Sequence, residues 1–149
     1  MIKIICVGKI KDFNLKSLID DYYKRTTKYT SIQIIELKDE NENYDEMKKE
    51  SKEIENYLDS KSYNIALDRL GKNIDSINFS KLIDKTFISY PNINFIIGGS
   101  LGIDKSILNK CNIVLSFSSL TFPHQLFRLM LLEQIYRSFK ILNNERYHK

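Results

Sequence analysis

Three short segments of the sequence carry residues suited to holding a small ligand, and each follows a predicted buried strand. They are residues 68–73, 98–103 and 116–122. In the second segment, Gly98, Gly99 and Gly102 let the main chain come close to a ligand, or make a tight turn. In the third, hydroxyl side chains accompany Leu120 and Phe122, a mixture that can enclose a flat apolar ring or simply precede a helix.

The glycine-containing segment does not match two common nucleotide-binding motifs. Ser100 stands where the second glycine of GxGxxG belongs, and the segment does not fit GxxxxGK[ST] either. We therefore expect neither a dinucleotide nor a nucleoside triphosphate at this position. A tight strand-to-helix turn and a backbone-lined ligand site both remain open as interpretations.

A predicted C-terminal helix at residues 123–142 carries charged residues on two opposite sides. His124 and Arg128 lie on one side, while Glu133 and Arg137 lie on the other at the spacing of a helix-stabilising ion pair. Its apolar residues cover more of the helix than one buried stripe requires. This pattern predicts contact with a second subunit, most simply in a two-fold homodimer.

Alternating strand and helix patterns place these segments in an α/β fold. Apolar runs predict strands at residues 2–8, 31–37, 64–68, 93–97 and 112–117. Helical spacing predicts helices at residues 13–26, 44–60, 77–90 and 123–142, with a short helix starting at Asp104. Gly71 predicts a turn after the third strand, and Asp75 or Ser76 predicts a helix cap.

Continuous apolar strands separated by helices predict a mostly parallel sheet with helices on both faces. Ligands of such sheets bind beyond the carboxyl ends of the strands, so the three segments are expected to meet there. The length of 149 residues fits one domain, residues 1–149, with no internal repeat.

Charge is distributed unevenly along the chain. Residues 36–60 contain ten acidic and four basic residues, whereas residues 105–149 contain seven basic and two acidic residues. Residues 1–30 contain seven basic and three acidic residues. If the two ends meet in space they form a basic surface that suits RNA, although ordinary solvated helix faces explain such runs equally well.

The remaining composition argues against a membrane, a metal or a secreted protein. No stretch approaches the about 18 apolar residues of a membrane span, and the N-terminus lacks the features of a signal peptide. Cys6 and Cys111 are isolated thiols that fit small buried residues in a reducing compartment rather than a metal cluster. We therefore expect a cytoplasmic protein.

Five segments together closely resemble the ribosomal large subunit pseudouridine methyltransferase H family, the small members of the SPOUT methyltransferases. They are IALDRLGK, FIIGGSLG, LSFSSLTFPHQLFR, EQIYRSFKI and the terminal YHK. The resemblance covers essentially the whole chain. It implies an α/β knot, in which the C-terminal segment forms a trefoil knot, together with a homodimer and S-adenosylmethionine as methyl donor. The implied reaction is N3-methylation of pseudouridine 1915 in helix 69 of 23S rRNA, within the ribosome or large subunit.

The resemblance also implies which residues hold the cofactor. Carried onto this sequence, the family's positions are Leu67, Gly98, Gly99, Phe117, Ser118, Ser119, Leu120, Thr121 and Phe122. All of them lie in or beside the three segments chosen from the strand pattern. On this interpretation, a Cβ atom at Gly98 or Gly99 would intrude on the methionine or ribose part of the cofactor.

Methylation of an imide nitrogen requires that its proton leave, so we expect a base or a group that stabilises the anionic ring. His148 is the predicted proton acceptor, directly or through water, and Arg137 is predicted to hold a phosphate or the developing negative oxygen. Tyr147 offers a face on which an unstacked base can stack. The tail is expected to reach the cofactor of the partner subunit, although chain ends are commonly frayed.

Three further residues are predicted to contact RNA, namely Arg128, His124 and Lys149. For His124, a structural contact at the N-terminus of the helix is the alternative to positioning the substrate. Two other functions remain open at this point. A SPOUT enzyme that methylates another RNA position would share the cofactor residues, and a non-catalytic ribosome-binding protein would share only the basic surface.

Overall fold

The computed structural model of the protein describes residues 1–39 and 44–149. Its strands are β1 (Ile2–Val7), β2 (Ile32–Leu37), β3 (Ser62–Asn73), β4 (Asn92–Ile97) and β5 (Ile113–Ser116). Its helices are α1 (Phe13–Thr26), α2 (Tyr44–Glu55), α3 (Ser76–Ser89), α4 (Lys105–Leu108) and α5 (His124–Leu142). The predicted order of elements is confirmed, and most boundaries differ by only a few residues.

The five strands form one sheet in the order β2-β1-β4-β3-β5, and each pair of neighbours is parallel. The predicted parallel α/β sheet is therefore confirmed. Because all strands run in the same direction, their C-terminal ends lie along one edge, which we term the carboxyl edge. Of the three segments chosen from the sequence, residues 68–73 form the end of β3, and the other two lie at the ends of β4 and β5, the strands on either side of β3.

Helices cover both faces of the sheet, as the continuous apolar strands predict. Ile4 of β1 belongs to a core cluster with residues of α1, α3 and α5, whereas Ile5 belongs to a second cluster with Ile54 of α2 and Ile107 of α4. Successive side chains of a strand point to opposite faces, so β1 is buried on both sides. Helix α5 packs against both α1 and α3, and the basic N- and C-terminal parts of the chain therefore meet in space.

Local signals explain where the helices begin. The side chains of Asp12 and Asp75 accept hydrogen bonds from the backbone N–H groups of Leu15 and Asn78, which caps α1 and α3. The cap predicted at Asp75 is thereby confirmed. Helix α2 ends at Glu55, five residues before its predicted end at residue 60.

The turn predicted at Gly71 is wrong, because β3 continues through this residue to Asn73. Leu67 and Lys72 both pair with Leu115 of β5, so residues 68–71 bulge out of the ladder. A Cβ atom on Gly71 would lie 2.7 Å from the carbonyl carbon of Leu115. The glycine therefore permits close approach of two strands rather than reversal of the chain.

The two thiols occupy different environments within the sheet layers. Cys6 is fully buried and Cys111 is half-buried, and both are free. Burial raises the pKa of Cys6 to about 12 and that of Cys111 to about 11. Among the described residues, no helix is both long enough and apolar enough to cross a membrane.

Candidate functional site

The three predicted segments surround one cavity of about 750 Å³ at the carboxyl edge. Its walls come from the bulge of β3, the glycine loop after β4 and the loop between β5 and α5. Eight of the nine predicted cofactor residues line it, namely Leu67, Gly98, Gly99, Phe117, Ser118, Leu120, Thr121 and Phe122. Ser119 does not line the cavity. This volume suits a ligand of the size of a nucleoside with an attached amino acid.

The glycines of the second loop serve different purposes. A Cβ atom on Gly98 would lie 2.5 Å from the carbonyl of Gly102, and one on Gly99 would lie 3.2 Å from Val7 Cγ1. The Gly102 backbone therefore excludes a side chain at Gly98 without reference to a ligand, whereas a side chain at Gly99 would require Val7 to shift by a few tenths of an ångström. Gly102 has a φ of +80°, and a Cβ built there meets nothing within 4 Å. All three glycines line the cavity, but only at Gly102 does the position of a missing Cβ atom face open space.

Hydrogen bonds and aromatic contacts fix the third loop. The Ser116 hydroxyl donates to the carbonyl of Ser118 at 2.9 Å, and the Ser118 hydroxyl accepts from the Leu120 N–H at 2.9 Å. The ring of Phe117 lies against Phe79 and Phe127, with centroids 5.3 and 5.4 Å away. The loop thus presents a preformed wall in which the serine hydroxyls shape the backbone.

His124 lies at the junction between this wall and the end of β1. Its ring lines the cavity, while its Nε2 atom is buried and has no hydrogen-bond partner among the described residues. A Cβ atom on Gly8 would lie 3.5 Å from this nitrogen, so the ring packs closely on the β1 terminus. Phe127, three residues further along α5, also lines the cavity, although the sequence reasoning did not select it. Its helical spacing from His124 is the signal that identifies it.

The predicted contact between Arg128 and RNA is corrected by the structure. Arg128 is 2% exposed, and its Nη1 atom lies 2.6 Å from Glu36 Oε2. Its Nη2 atom donates to the carbonyl oxygen of Gly8 at 2.8 Å. A guanidinium so enclosed is unavailable to a phosphate, and it instead ties the first turns of α5 to the ends of β1 and β2.

The C-terminal tail, residues 143–149, is docked on its own protomer rather than frayed. The hydroxyl of Tyr147 donates to Glu133 Oε1 at 2.9 Å and lies 3.1 Å from the hydroxyl of Tyr22. Its ring packs edge-on against Tyr136, with centroids 5.0 Å apart. Burial, followed by the hydrogen bonds to Tyr22 and Glu133, raises the pKa of Tyr147. The ring of Tyr147 therefore anchors the tail to α1 and α5.

Arg137 connects this anchor to His148. Its Nη2 and Nε atoms lie 2.6 and 3.0 Å from Glu133 Oε1, which confirms the predicted ion pair, and the hydrogen bond to Glu133 raises the pKa of Arg137. Its guanidinium covers the ring of Tyr147 at 4.8 Å, and its Nη1 atom lies 3.1 Å from His148 Nδ1. A guanidinium has no acceptor, so Nδ1 of His148 accepts this bond.

The structure does not bring the predicted catalytic residues together with the cavity in one protomer. His124 marks the cavity end of α5, and Arg137 lies thirteen residues further along the same helix. At 1.5 Å per residue, that separation is roughly 20 Å. Lys149 is exposed at the end of the tail, also away from the cavity. Within one chain, the cavity and the predicted catalytic residues therefore lie roughly 20 Å apart along α5.

The whole chain is similar to known proteins. The family model described as a predicted SPOUT methyltransferase matches residues 1–148. The chain belongs to the SPOUT methyltransferase family. The family resemblance of the five sequence segments is thereby confirmed.

Relatives of this SPOUT methyltransferase match it over nearly their full length. A protein from Malacoplasma penetrans, named ribosomal RNA large subunit methyltransferase H, is 51% identical over 156 residues and covers 99% of each chain. A protein of the same name from Fusobacterium nucleatum is 50% identical over 153 residues, again with 99% of each chain covered.

Solved structures share the fold of the SPOUT methyltransferase at low sequence identity. A probable methylase family protein from Haemophilus influenzae has a TM-score of 0.62 at 13% identity, covering 99% of this chain and 70% of that one. The tRNA (m1G37) methyltransferase from Aquifex aeolicus has a TM-score of 0.55 at 12% identity, with 91% and 69% covered. These similarities support the fold alone.

As a SPOUT methyltransferase, the protein uses S-adenosylmethionine as its methyl donor. The cavity suits this cofactor. Leu67, Phe117 and Phe122 supply apolar walls for a purine ring, and the open backbone at Gly102 permits close approach of a polar group. Within residues 1–39 and 44–149, no cluster of His, Cys, Asp or Glu side chains is arranged to hold a metal ion.

Proposed function

We propose that this SPOUT methyltransferase modifies N3 of a pseudouridine, position 1915 in helix 69, in 23S rRNA of the large ribosomal subunit. The observation that carries the proposal is the name shared by relatives about 50% identical over 99% of the chain, combined with the cavity built by the three loops. The enzyme then acts in the cytoplasm, where its ribosomal substrate resides.

The active form in this proposal is a homodimer. Leu18 of α1 and Leu126 of α5 are 50% and 39% exposed, on two helices that pack against each other. A groove of about 640 Å³ lies between α1, α3 and α5. Its lining is largely apolar and includes Leu18, Tyr22, Ile74, Phe79, Phe117, Leu129 and Met130. A second copy related by a two-fold axis is the occupant that we propose for this face.

Two-fold pairing through this face completes each active site. If the α5 helices of two protomers pack antiparallel, the cavity end of one helix lies beside the tail-bearing end of the other. The cavity and the tail, which are roughly 20 Å apart within one chain, then lie side by side across the dimer interface. Each site consists of the cavity of one protomer and the docked tail of its partner, so a monomer is inactive.

The reaction is an in-line displacement. Bound S-adenosylmethionine would supply the methyl group, which is carried on a positively charged sulfur, and the rest of the cofactor would be the leaving group as a neutral thioether. The chain holds the reacting groups in line and stabilises the negative charge that develops on the pyrimidine ring once its N3 proton is lost. No step of this kind requires a covalent bond to the protein.

We propose for His148 a role other than the proton acceptor predicted from the sequence, and its contact with Arg137 supports this role. Its Nδ1 accepts a hydrogen bond from Arg137, so the neutral ring carries its proton on Nε2. His148 therefore donates from Nε2 to the carbonyl oxygen beside N3, while the N3 proton is lost to water. Glu133 and Tyr147 act through Arg137 and the tail backbone as positioning residues.

We extend the proposal to chain topology, in which the segment after β5 threads a preceding loop to form a trefoil knot. Support comes from the third loop, which lines the same cavity as the bulge of β3 and the glycine loop. Such threading is rare among proteins. An experimental structure in which the chain is traced through residues 98–123 tests it directly.

Ribosomes from a strain that lacks the gene provide the test of function. Incubated with the purified enzyme and S-adenosylmethionine, their 23S rRNA should gain one methyl group on N3 of the helix 69 pseudouridine, as mapped by mass spectrometry. A methyl group at another nucleotide would assign the enzyme a different RNA position. Cofactor binding without any methyl transfer to ribosomal RNA would reject this substrate class.

A further inference from the structure

Three exposed leucines surround the mouth of the cofactor cavity, and each comes from a different loop. Leu70, Leu101 and Leu120 are 81%, 48% and 69% exposed, and all three line the cavity. Single exposed leucines are ordinary on protein surfaces, but apolar side chains gathered at one opening mark a surface that a ligand or partner covers. We term these three residues the leucine collar.

The most exposed member of the collar sits on a rigid projection. Residues 68–71 bulge from β3, because Leu67 and Lys72 both pair with Leu115. The Leu70 N–H donates to Asp68 Oδ1 at 2.9 Å, and Gly71 is pressed against the backbone of β5. Hydrogen bonding at one end of the bulge and strand contact at the other hold Leu70 in place.

The projection also carries positive charge. Arg69 and Lys72 flank Leu70 and are both exposed. Asp68, the acidic residue of this segment, is turned toward the backbone N–H of Leu70. The surface that the bulge presents is therefore an apolar side chain between two cations. This combination complements a nucleic acid strand, which offers phosphates alongside the apolar faces of bases.

We infer that the bulge of β3 contacts the RNA nucleotides next to the modified base, with Leu70 against a base face and Arg69 on a phosphate. The inference rests on the proposed function, because it names how that same site holds its RNA. An enzyme can reach the Watson–Crick edge of a base only when the base is unstacked or flipped out. The neighbouring base faces are then uncovered, and an apolar side chain beside the cavity mouth fills the gap.

Substitution of the two outward-pointing residues tests this inference. Leu70→Ala should raise the KM for ribosomes lacking the modification by about tenfold, because a base contact is lost. Arg69→Ala should weaken ribosome binding at low salt and reduce the slope of log affinity against log salt by about one. Neither variant should change the affinity for S-adenosylmethionine, measured by calorimetry.

Ile88 provides a matched control. It is as exposed as Leu70, at 81%, but it lies near the end of α3, which leads to the N-terminal end of β4 at the opposite edge of the sheet. Ile88→Ala should leave both KM and cofactor affinity at their wild-type values. Thermal unfolding of all three variants verifies that each is folded.

The outcomes separate this inference from the proposed function. If the wild-type enzyme does not methylate ribosomes, the proposed function fails. If the wild-type enzyme is active and Leu70→Ala matches Ile88→Ala in KM, the inference is overturned while the function stands. If Leu70→Ala weakens the binding of S-adenosylmethionine in the absence of RNA, the collar closes on the cofactor and the RNA contact is rejected.

Discussion

The Nδ1 atom of His148 lies 3.1 Å from the Nη1 atom of Arg137 in the docked tail. Because arginine can only donate, this contact fixes which nitrogen of the neutral imidazole carries the proton. His148 is exposed, and its Nε2 is then a hydrogen-bond donor, which suits stabilisation of an anionic ring better than removal of a proton. Substitution of His148 can show whether it acts as a hydrogen-bond donor or as a proton acceptor.

His148→Gln should keep at least about a tenth of the wild-type rate in single turnover, since an amide can still donate to the pyrimidine carbonyl. His148→Ala should lose about 100-fold or more, the usual cost of removing one donor to a developing negative oxygen. Both variants should bind S-adenosylmethionine normally by calorimetry. If glutamine is as inactive as alanine, His148 takes the proton itself, as the sequence suggested.

Arg128 should contribute to stability rather than to RNA affinity. Arg128→Ala removes a buried guanidinium with its bonds to the partly exposed Glu36 and to the Gly8 carbonyl, and should lower the free energy of unfolding by about 2 kcal/mol in urea. Arg25→Ala is the comparison, because its pair with Asp21 is about half exposed and it lies over the rings of Tyr22 and Tyr136, so it should lower stability less than Arg128→Ala does. Unchanged stability combined with a reduced salt dependence of ribosome binding would restore Arg128 as a phosphate contact.

Gly98 and Gly99 should respond differently to an added methyl group. Gly98→Ala places a Cβ atom 2.5 Å from the Gly102 backbone, so the loop must move and S-adenosylmethionine affinity should fall at least about tenfold. Gly99→Ala meets side chains rather than backbone, with Val7 Cγ1 at 3.2 Å and Glu50 Oε2 at 3.6 Å, so its cofactor affinity should fall less. Calorimetry ranks the two variants. Equal losses would show that the turn is not what requires Gly98.

Cys6 should make the stability of the protein fall in alkaline solution. Its pKa is raised by burial to about 12 from an ordinary value of 9.0. The unfolded state therefore loses the thiol proton first, and stability present below pH 9 decreases as the pH rises toward 12. Urea unfolding at pH 8 and pH 10 measures the decrease, and Cys6→Ala should make it shallower. An unchanged slope in this variant would assign the decrease to other groups.

Residue patterns alone predicted the elements that position the site. The apolar runs of β1 and β4 and the cap at Asp75 are local features, so the sequence specifies them directly. The proximity of the three loops could be predicted because the C-terminal ends of parallel strands lie along one edge of the sheet. What these patterns could not specify depends on contacts between distant segments.

Gly71 and Arg128 illustrate that limit. A glycine after an apolar strand is typical of a turn, and only the pairing of β3 with β5 reveals that it permits close strand approach. An arginine on a helix is usually exposed, and only the fold reveals Glu36, 92 positions away, as its buried partner. Tyr147 likewise finds Tyr22 across 125 positions, which is why the tail is docked.

Activity of mixed dimers tests most directly the central claim that each site joins the cavity of one protomer to the tail of its partner. Thr121→Trp fills the cavity from an exposed position, and His148→Ala disables the tail. Each variant should be nearly inactive alone, with calorimetry and circular dichroism verifying lost cofactor binding in the first and an intact fold in both. When the two variants are unfolded and refolded together, half of the dimers contain one chain of each kind, and each such dimer has one intact cavity beside one intact tail. Because one of its two sites then works, the mixture should regain about a quarter of the wild-type rate. A mixture as inactive as its components would contradict the claim and place the whole site within one chain.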